Sequence, residues 1–266
     1  MSVLIAIPAR YASSRFPGKP LVPLKGPDGE VKTLIERSWD AAMAVSGVDR
    51  VVVATDDDRI REAAEGFGAE VVMTAESCRN GTERCADVLQ RITDRFDIVV
   101  NLQGDAPLTP PWFVEDLISG LRENEWAQVA TPVLATDGAA LNGFLEDRAA
   151  GRVGGTTAVF DENFRALYFS KEVIPFTPNK YAADAETPVF HHVGVYAYRP
   201  EALGAYVRWP VGPLETHEGL EQLRFLENGE PLLCVVVDGK GQKFWEVNNP
   251  EDVTRVETII QGKKSG

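Results

Sequence analysis

The sequence predicts an α/β fold with a mostly parallel sheet flanked by helices. Three observations predict it. Short apolar runs of strand length alternate with stretches of helical periodicity from residue 3 to residue 122. Pro, Gly, Asn and Asp punctuate the junctions between them. After residue 127 the alternation gives way to paired strands, which read as an antiparallel region inserted into one fold and not as an independent domain.

The elements follow in order. Val3 to Ile7 reads as a buried strand, followed by a loop rich in Pro and Gly through Gly26. Leu34, Ile35, Trp39, Ala42 and Val45 share one face of a helix over residues 33–46. Val51 to Ala54 is a second strand. Asp56, Asp57 and Asp58 suit the start of the next helix, where carboxylates cap free N–H groups and meet the positive end of the dipole. A third strand spans 70–73, and Asn80-Gly81 turns into a helix over 82–92. Ile98 to Leu102 is a fourth strand ending in Gln103-Gly104-Asp105, and Pro110 and Pro111 open a helix through Arg122. Beyond it come strands at 129–134, 193–198 and 232–237, a hairpin of 156–160 with 165–169, and helices at 215–227 and 250–260. Residues 136–155 and 175–190 read as loops. The whole chain, 1–266, is expected to form a single domain with halves of roughly 1–127 and 128–266.

Composition limits the function. The net charge is −13, which argues against nucleic acid as a partner, because a phosphate backbone needs a basic face. No apolar run approaches the roughly 18–20 residues that span a bilayer. The N-terminal run lacks the basic flank of a secretory signal, and Cys78, Cys85 and Cys234 have no metal-ligand spacing, so reduced thiols in a cytoplasm are expected.

One stretch breaks the acidic pattern. IPARYASSRFPGKPLVPLKG, residues 7–26, places Arg10, Arg15 and Lys19 just after the first strand. In open α/β sheets, ligands gather beyond the carboxyl ends of the strands, where Thr55, Asn80-Gly81 and Gln103-Gly104-Asp105 are also expected. Cations, backbone N–H groups and a carboxylate together suit a nucleoside triphosphate with magnesium. The loop is neither G-x-x-x-x-G-K-[ST] nor G-x-G-x-x-G, which disfavours P-loop phosphotransfer and dinucleotide binding. The plain alternative is a proline-rich connection with solvated charges. No Ser/His/Asp or Cys/His arrangement argues for covalent catalysis.

IPARYASSRFPGKPL resembles the opening signature of the 3-deoxy-manno-octulosonate (Kdo) cytidylyltransferases. The resemblance runs on through VVVATDDDRI, NGTER, VNLQGDAP, ALYFSK, HHVGVYAYR, LEQLRFLENG and NNPEDV. It implies a nucleotidyltransferase-type, Rossmann-like fold with an antiparallel dimerisation region. It also implies a homodimer and the transfer of CMP from CTP to the anomeric hydroxyl of Kdo with Mg²⁺, releasing pyrophosphate for lipopolysaccharide synthesis. The 1–127 half would then bind nucleotide and the 128–266 half sugar. By the same resemblance Arg10, Lys19 and Asp105 are catalytic, and Arg10, Arg15, Lys19, Thr55, Asn80 and Gly81 bind nucleotide. Gln103, Lys171, His192, Tyr196, Glu221 and Gln222 bind the sugar, and Asp105 and Asn248 hold the metal. His191 and His217 are left without a role.

The chain departs from the family pattern at several points. Asn80 stands where Ser is usual, and Lys171 replaces an arginine, which keeps the charge and loses the bidentate fork. Asn248 replaces the second metal-binding aspartate, so it offers a carbonyl oxygen and neutralises no charge. Ala106 stands where Glu is frequent, and GRVGGTTAVF replaces the usual segment at 151–160. Two other functions follow from these departures: a cytidylyltransferase for another acidic sugar, such as 8-amino-Kdo or a nonulosonate, and a nucleotide- or sugar-binding module without catalysis.

Overall fold

The computed structural model describes residues 1–13, 16–153, 155–177, 181–242 and 245–262. The chain divides into two compact units, one formed by 1–115 with 239–266 and the other by 116–238.

The first unit opens with β1 (Val3–Ala9), whose residues Val3 to Ile7 are wholly buried. A single 3₁₀ turn at Lys19–Leu21 interrupts the long loop. A two-stranded ribbon of β2 (Pro23–Lys25) and β3 (Val31–Thr33) leads into α1 (Leu34–Met43). Then come β4 (Arg50–Thr55), α2 (Asp58–Gly66), β5 (Glu70–Met73), α3 (Gly81–Arg91) and β6 (Ile98–Leu102). The strands run in the order β5-β4-β1-β6, every pairing parallel. Sequence order therefore reverses at β1, with β4 on one side and β6 on the other. That reversal opens a crevice past the strands' carboxyl ends. The helices start where short polar side chains replace the missing acceptors: Thr33 takes Glu36 N–H (3.3 Å), Asp57 takes Arg59 N–H (3.0 Å) and Asn80 takes Glu83 N–H (2.8 Å). The helix α4 (Pro111–Glu123) carries the chain onward.

The second unit contains β7 (Val129–Asp137), α5 (Gly138–Ala149), β8 (Thr156–Phe160), β9 (Ala166–Ser170), β10 (Glu186–His192) and β11 (Val195–Tyr198). They are followed by α6 (Pro200–Tyr206), α7 (Pro213–Glu218), α8 (Leu223–Glu227) and β12 (Leu232–Val236). Here the order is β11-β7-β10-β8-β9, all antiparallel, with β12 added parallel to β7. The α/β class, the parallel sheet and the antiparallel region all stand as the sequence predicts.

Three local expectations change. The loop expected at 136–155 contains α5, which starts on an Asp137 cap (Ala140 N–H at 2.7 Å). The loop expected at 175–190 holds the start of β10. The single helix expected at 215–227 is two, because Gly219 ends α7 in the left-handed region at φ 63°.

The chain returns to the first unit as α9 (Pro250–Gly262). Val247, Val256 and Ile260 pack with Leu24, Leu34 and Leu108, and Trp245 lies against this cluster. Burying such side chains contributes about 1.5–3 kcal/mol each, which is what holds the C-terminal segment down.

Candidate active site

A cleft of about 220 Å³ opens at the crevice of the first unit. Its lining includes Arg10 after β1, Lys19, Asn80 and Gly81 at the start of α3, Gln103 and Asp105 after β6, and Asn248. Of the residues singled out in the sequence, these seven are brought together. Arg15 lies outside the described residues. Thr55 is fully buried and does not line the cleft; its Oγ1 accepts Asp57 N–H at 3.2 Å.

The electrostatics of the cleft are local and opposite to the protein's net charge. Arg10, Lys19, Arg79 and Arg84 all face it. Lys19 Nζ donates to Asp105 Oδ2 at 2.5 Å, a partly buried ion pair. Arg84 is buried and is held by Thr74 Oγ1 and by Asp56 Oδ2 (3.2 Å). Arg10 is exposed and reaches Arg79 O at 3.5 Å. The N-terminus of α3 adds backbone N–H groups and the positive end of its dipole, a ready anion site. Asn80 commits its Oδ1 to capping α3, so it meets the cleft with its other groups.

Sequence reading missed three neighbours. Arg84 was hidden because an arginine inside a helical pattern reads as solvated. Asn101, wholly buried on β6, has both side-chain amide atoms without a hydrogen-bond partner among the described residues, and its Nδ2 would lie 2.7 Å from a Cβ added at Gly81. Glu246 lies two residues before Asn248, whose Nδ2 donates to Glu246 Oε2 at 3.5 Å. Burial, helped by the Asp105 charge, pushes the Glu246 carboxyl up to about 7.

The donor set suits a hard divalent cation. Asp105 lines the cleft with a carboxylate and Asn248 with an amide oxygen, and magnesium typically takes one or two carboxylates together with substrate phosphates. No group of three or more His, Cys, Asp or Glu side chains placed to hold a metal occurs among the described residues.

In the second unit, His192, Tyr196 and Gln222 form one buried cluster. The His192 and Tyr196 rings lie 5.6 Å apart, and Tyr196 Oη donates to Gln222 Oε1 at 3.0 Å. Gln222 Nε2 is thereby left as a buried donor with no partner among the described residues. Thr131 Oγ1 gives its proton to Val195 O (2.8 Å), so His192 Nε2–H donates to Thr131 (2.9 Å) and Nδ1 remains an acceptor. Burial holds His192 down at about 3 and His191 at about 4, so both rings are neutral at pH 7. His191 packs against Phe144, and His217 is exposed. Lys171 stands apart from this cluster's bonds: its backbone N–H reaches Glu218 Oε2 (2.9 Å), and its Nζ would lie 3.0 Å from a Cβ at Gly219. Glu221 is partly buried, and its backbone oxygen accepts Tyr206 Oη at 3.2 Å.

The family model described as cytidylyltransferase matches residues 4–232. A 3-deoxy-manno-octulosonate cytidylyltransferase of Maricaulis maris is 48% identical over 260 residues, covering 98% of this chain and 97% of that one. The chain belongs to the 3-deoxy-manno-octulosonate cytidylyltransferase family. Another member, from Zea mays, is 39% identical over 96% of this chain and 80% of its own length. Among solved structures, a CMP:2-keto-3-deoxy-manno-octonic acid synthetase complexed with CTP superposes with a TM-score of 0.83 at 34% identity, covering 99% of this chain and all of that one. A 4-diphosphocytidyl-2C-methyl-D-erythritol synthase of Anaerococcus prevotii, at 14% identity and TM-score 0.59, shares the fold. This family member is thus a nucleotidyltransferase by descent.

Proposed function

We propose that this enzyme transfers CMP from CTP to the anomeric hydroxyl of Kdo and releases pyrophosphate. The observation that carries the reading is the cleft that gathers Arg10, Lys19, the α3 N-terminus and Asp105, in a chain that matches a CTP-bound Kdo-activating synthetase along nearly its whole length.

The chemistry follows from the residues. A bond forms between the sugar oxygen and the α-phosphorus as the hydroxyl proton is lost to solvent, while the bond from that phosphorus to the β-bridging oxygen breaks and pyrophosphate leaves. Phosphoryl-type transfer depends on positioning and on stabilising charge. Arg10 and Lys19 line the cleft and would meet the β- and γ-phosphates, while the α3 N–H groups would orient the anion. Arg84 is fixed by Asp56 and Thr74 and adds positive potential without moving. Lys19 exchanges part of its bond with Asp105 for phosphate when CTP enters. Asp105 and Asn248 would hold Mg²⁺, which when bound neutralises phosphate charge and makes the α-phosphorus more electrophilic. On the acceptor side, neutral His192 Nδ1 and the free Gln222 N–H suit sugar hydroxyls, and Lys171 suits the carboxylate.

The same reading makes the protein a homodimer acting in the cytoplasm to supply activated Kdo for lipopolysaccharide. No described helix is long and apolar enough to cross a membrane.

The test is pyrophosphate release by the purified protein with Mg²⁺, each of the four ribonucleoside triphosphates and a panel of sugar acids. Turnover with CTP and Kdo is expected. Turnover with CTP and another 2-keto sugar acid but none with Kdo would change the acceptor, and CTP binding without pyrophosphate release would reduce the protein to a binding module.

A further inference from the structure

We infer that Glu246 is a metal-side carboxylate of this cleft, supplying the negative charge that Asn248 cannot. The inference rests on the nucleotidyltransferase reading and deepens it.

The backbone places the residue. Trp245 and Val247 both enter the apolar cluster with Leu24, Leu34 and Leu108. Glu246 and Asn248 meet through their side chains, Asn248 Nδ2 donating to Glu246 Oε2 at 3.5 Å. Asn248 lines the cleft beside Asp105 and Lys19. The segment is tied there by Val247 N–H donating to Asp105 O at 2.9 Å. The Asn248 amide then orients Glu246 through its Nδ2, which leaves Asn248 Oδ1 for a cation.

Asp252 also bonds to this segment, and its carboxylate accepts three hydrogen bonds there. Oδ2 accepts Asn248 N–H (2.9 Å) and Asn249 N–H (2.7 Å), and Oδ1 accepts Trp245 Nε1–H (2.9 Å). These bonds fix the turn into α9. Among the described residues Glu246 accepts one bond, at the limit of hydrogen-bond length. Asp105 already bonds Lys19, and a divalent cation held with phosphate oxygens would supply the positive charge for a second carboxylate.

The experiment measures Mn²⁺ binding at saturating CTP, by electron paramagnetic resonance of the free ion, for the full chain and its variants. Glu246→Gln is expected to weaken Mn²⁺ binding by about 10–100-fold, the range typical when a group supporting a metal is lost. Asn248→Asp placed on top of Glu246→Gln should restore affinity to within about threefold of the parent, because one acid then stands in for the other. Thermal unfolding without metal should be the same for all variants. Glu246→Gln binding Mn²⁺ within about twofold of the parent overturns the inference, as does a double variant no tighter than Glu246→Gln. Pyrophosphate release by the parent protein judges the wider functional reading separately, since it requires no variant.

Discussion

The two candidate recognition regions work by different physics. The cleft of the first unit is charged and partly open, with Arg10, Lys19, Arg79 and Arg84 against Asp105. The His192–Tyr196–Gln222 cluster of the second unit is buried and neutral, and is specified by hydrogen bonds. Charge gives strong, salt-sensitive attraction to any polyphosphate, whereas unpaired neutral donors reject ligands that cannot pair with them. On this account the first region supplies transition-state stabilisation and the second supplies acceptor specificity.

The largest effect should come from the charged region. Lys19→Ala removes a phosphate cation and leaves Asp105 unpaired, so kcat/KM should fall by about 10³-fold or more, read from steady-state pyrophosphate release. Next is Gln222→Leu, which removes the unpaired Nε2 donor and the acceptor of Tyr196. The sugar KM should rise by about 10–100-fold, with CTP affinity from calorimetry unchanged. An equal loss of CTP affinity would erase the distinction between the regions.

The smallest expected effect concerns pH. His192 is neutral in the fold, with its pKa held at about 3, whereas an unfolded histidine titrates near 6.5. Protons therefore bind the unfolded chain first as pH falls. The stability tied to His192 is full above about pH 6.5 and drops by about 1.4 kcal/mol per pH unit below it, until the folded ring itself titrates. Urea unfolding at pH 7 and pH 5 should differ by about 2 kcal/mol from this residue, and His192→Asn should narrow the difference.

Much of the first unit was legible because its strands are near-continuous apolar runs and its helices carry polar caps at Thr33, Asp57 and Asn80. The second unit was less so. Only Gly138 and Leu141 of α5 are buried, so no apolar stripe announced the helix. A single backbone feature, the left-handed Gly219, splits what periodicity joins. At the site, Arg10, Lys19, Asn80 and Asp105 were readable from strand ends and charge. Glu246 was not, because only the folded chain shows its carboxylate meeting the Asn248 side chain. Asn101 was invisible for a similar reason, since only burial reveals that its amide has no partner among the described residues.

The most direct test is ³¹P NMR of CTP, Kdo and Mg²⁺ with the purified protein. The account predicts that CTP is consumed with one pyrophosphate and one phosphodiester signal formed per nucleotide. Formation of CDP with inorganic phosphate, or CTP left intact beside bound sugar, would contradict it.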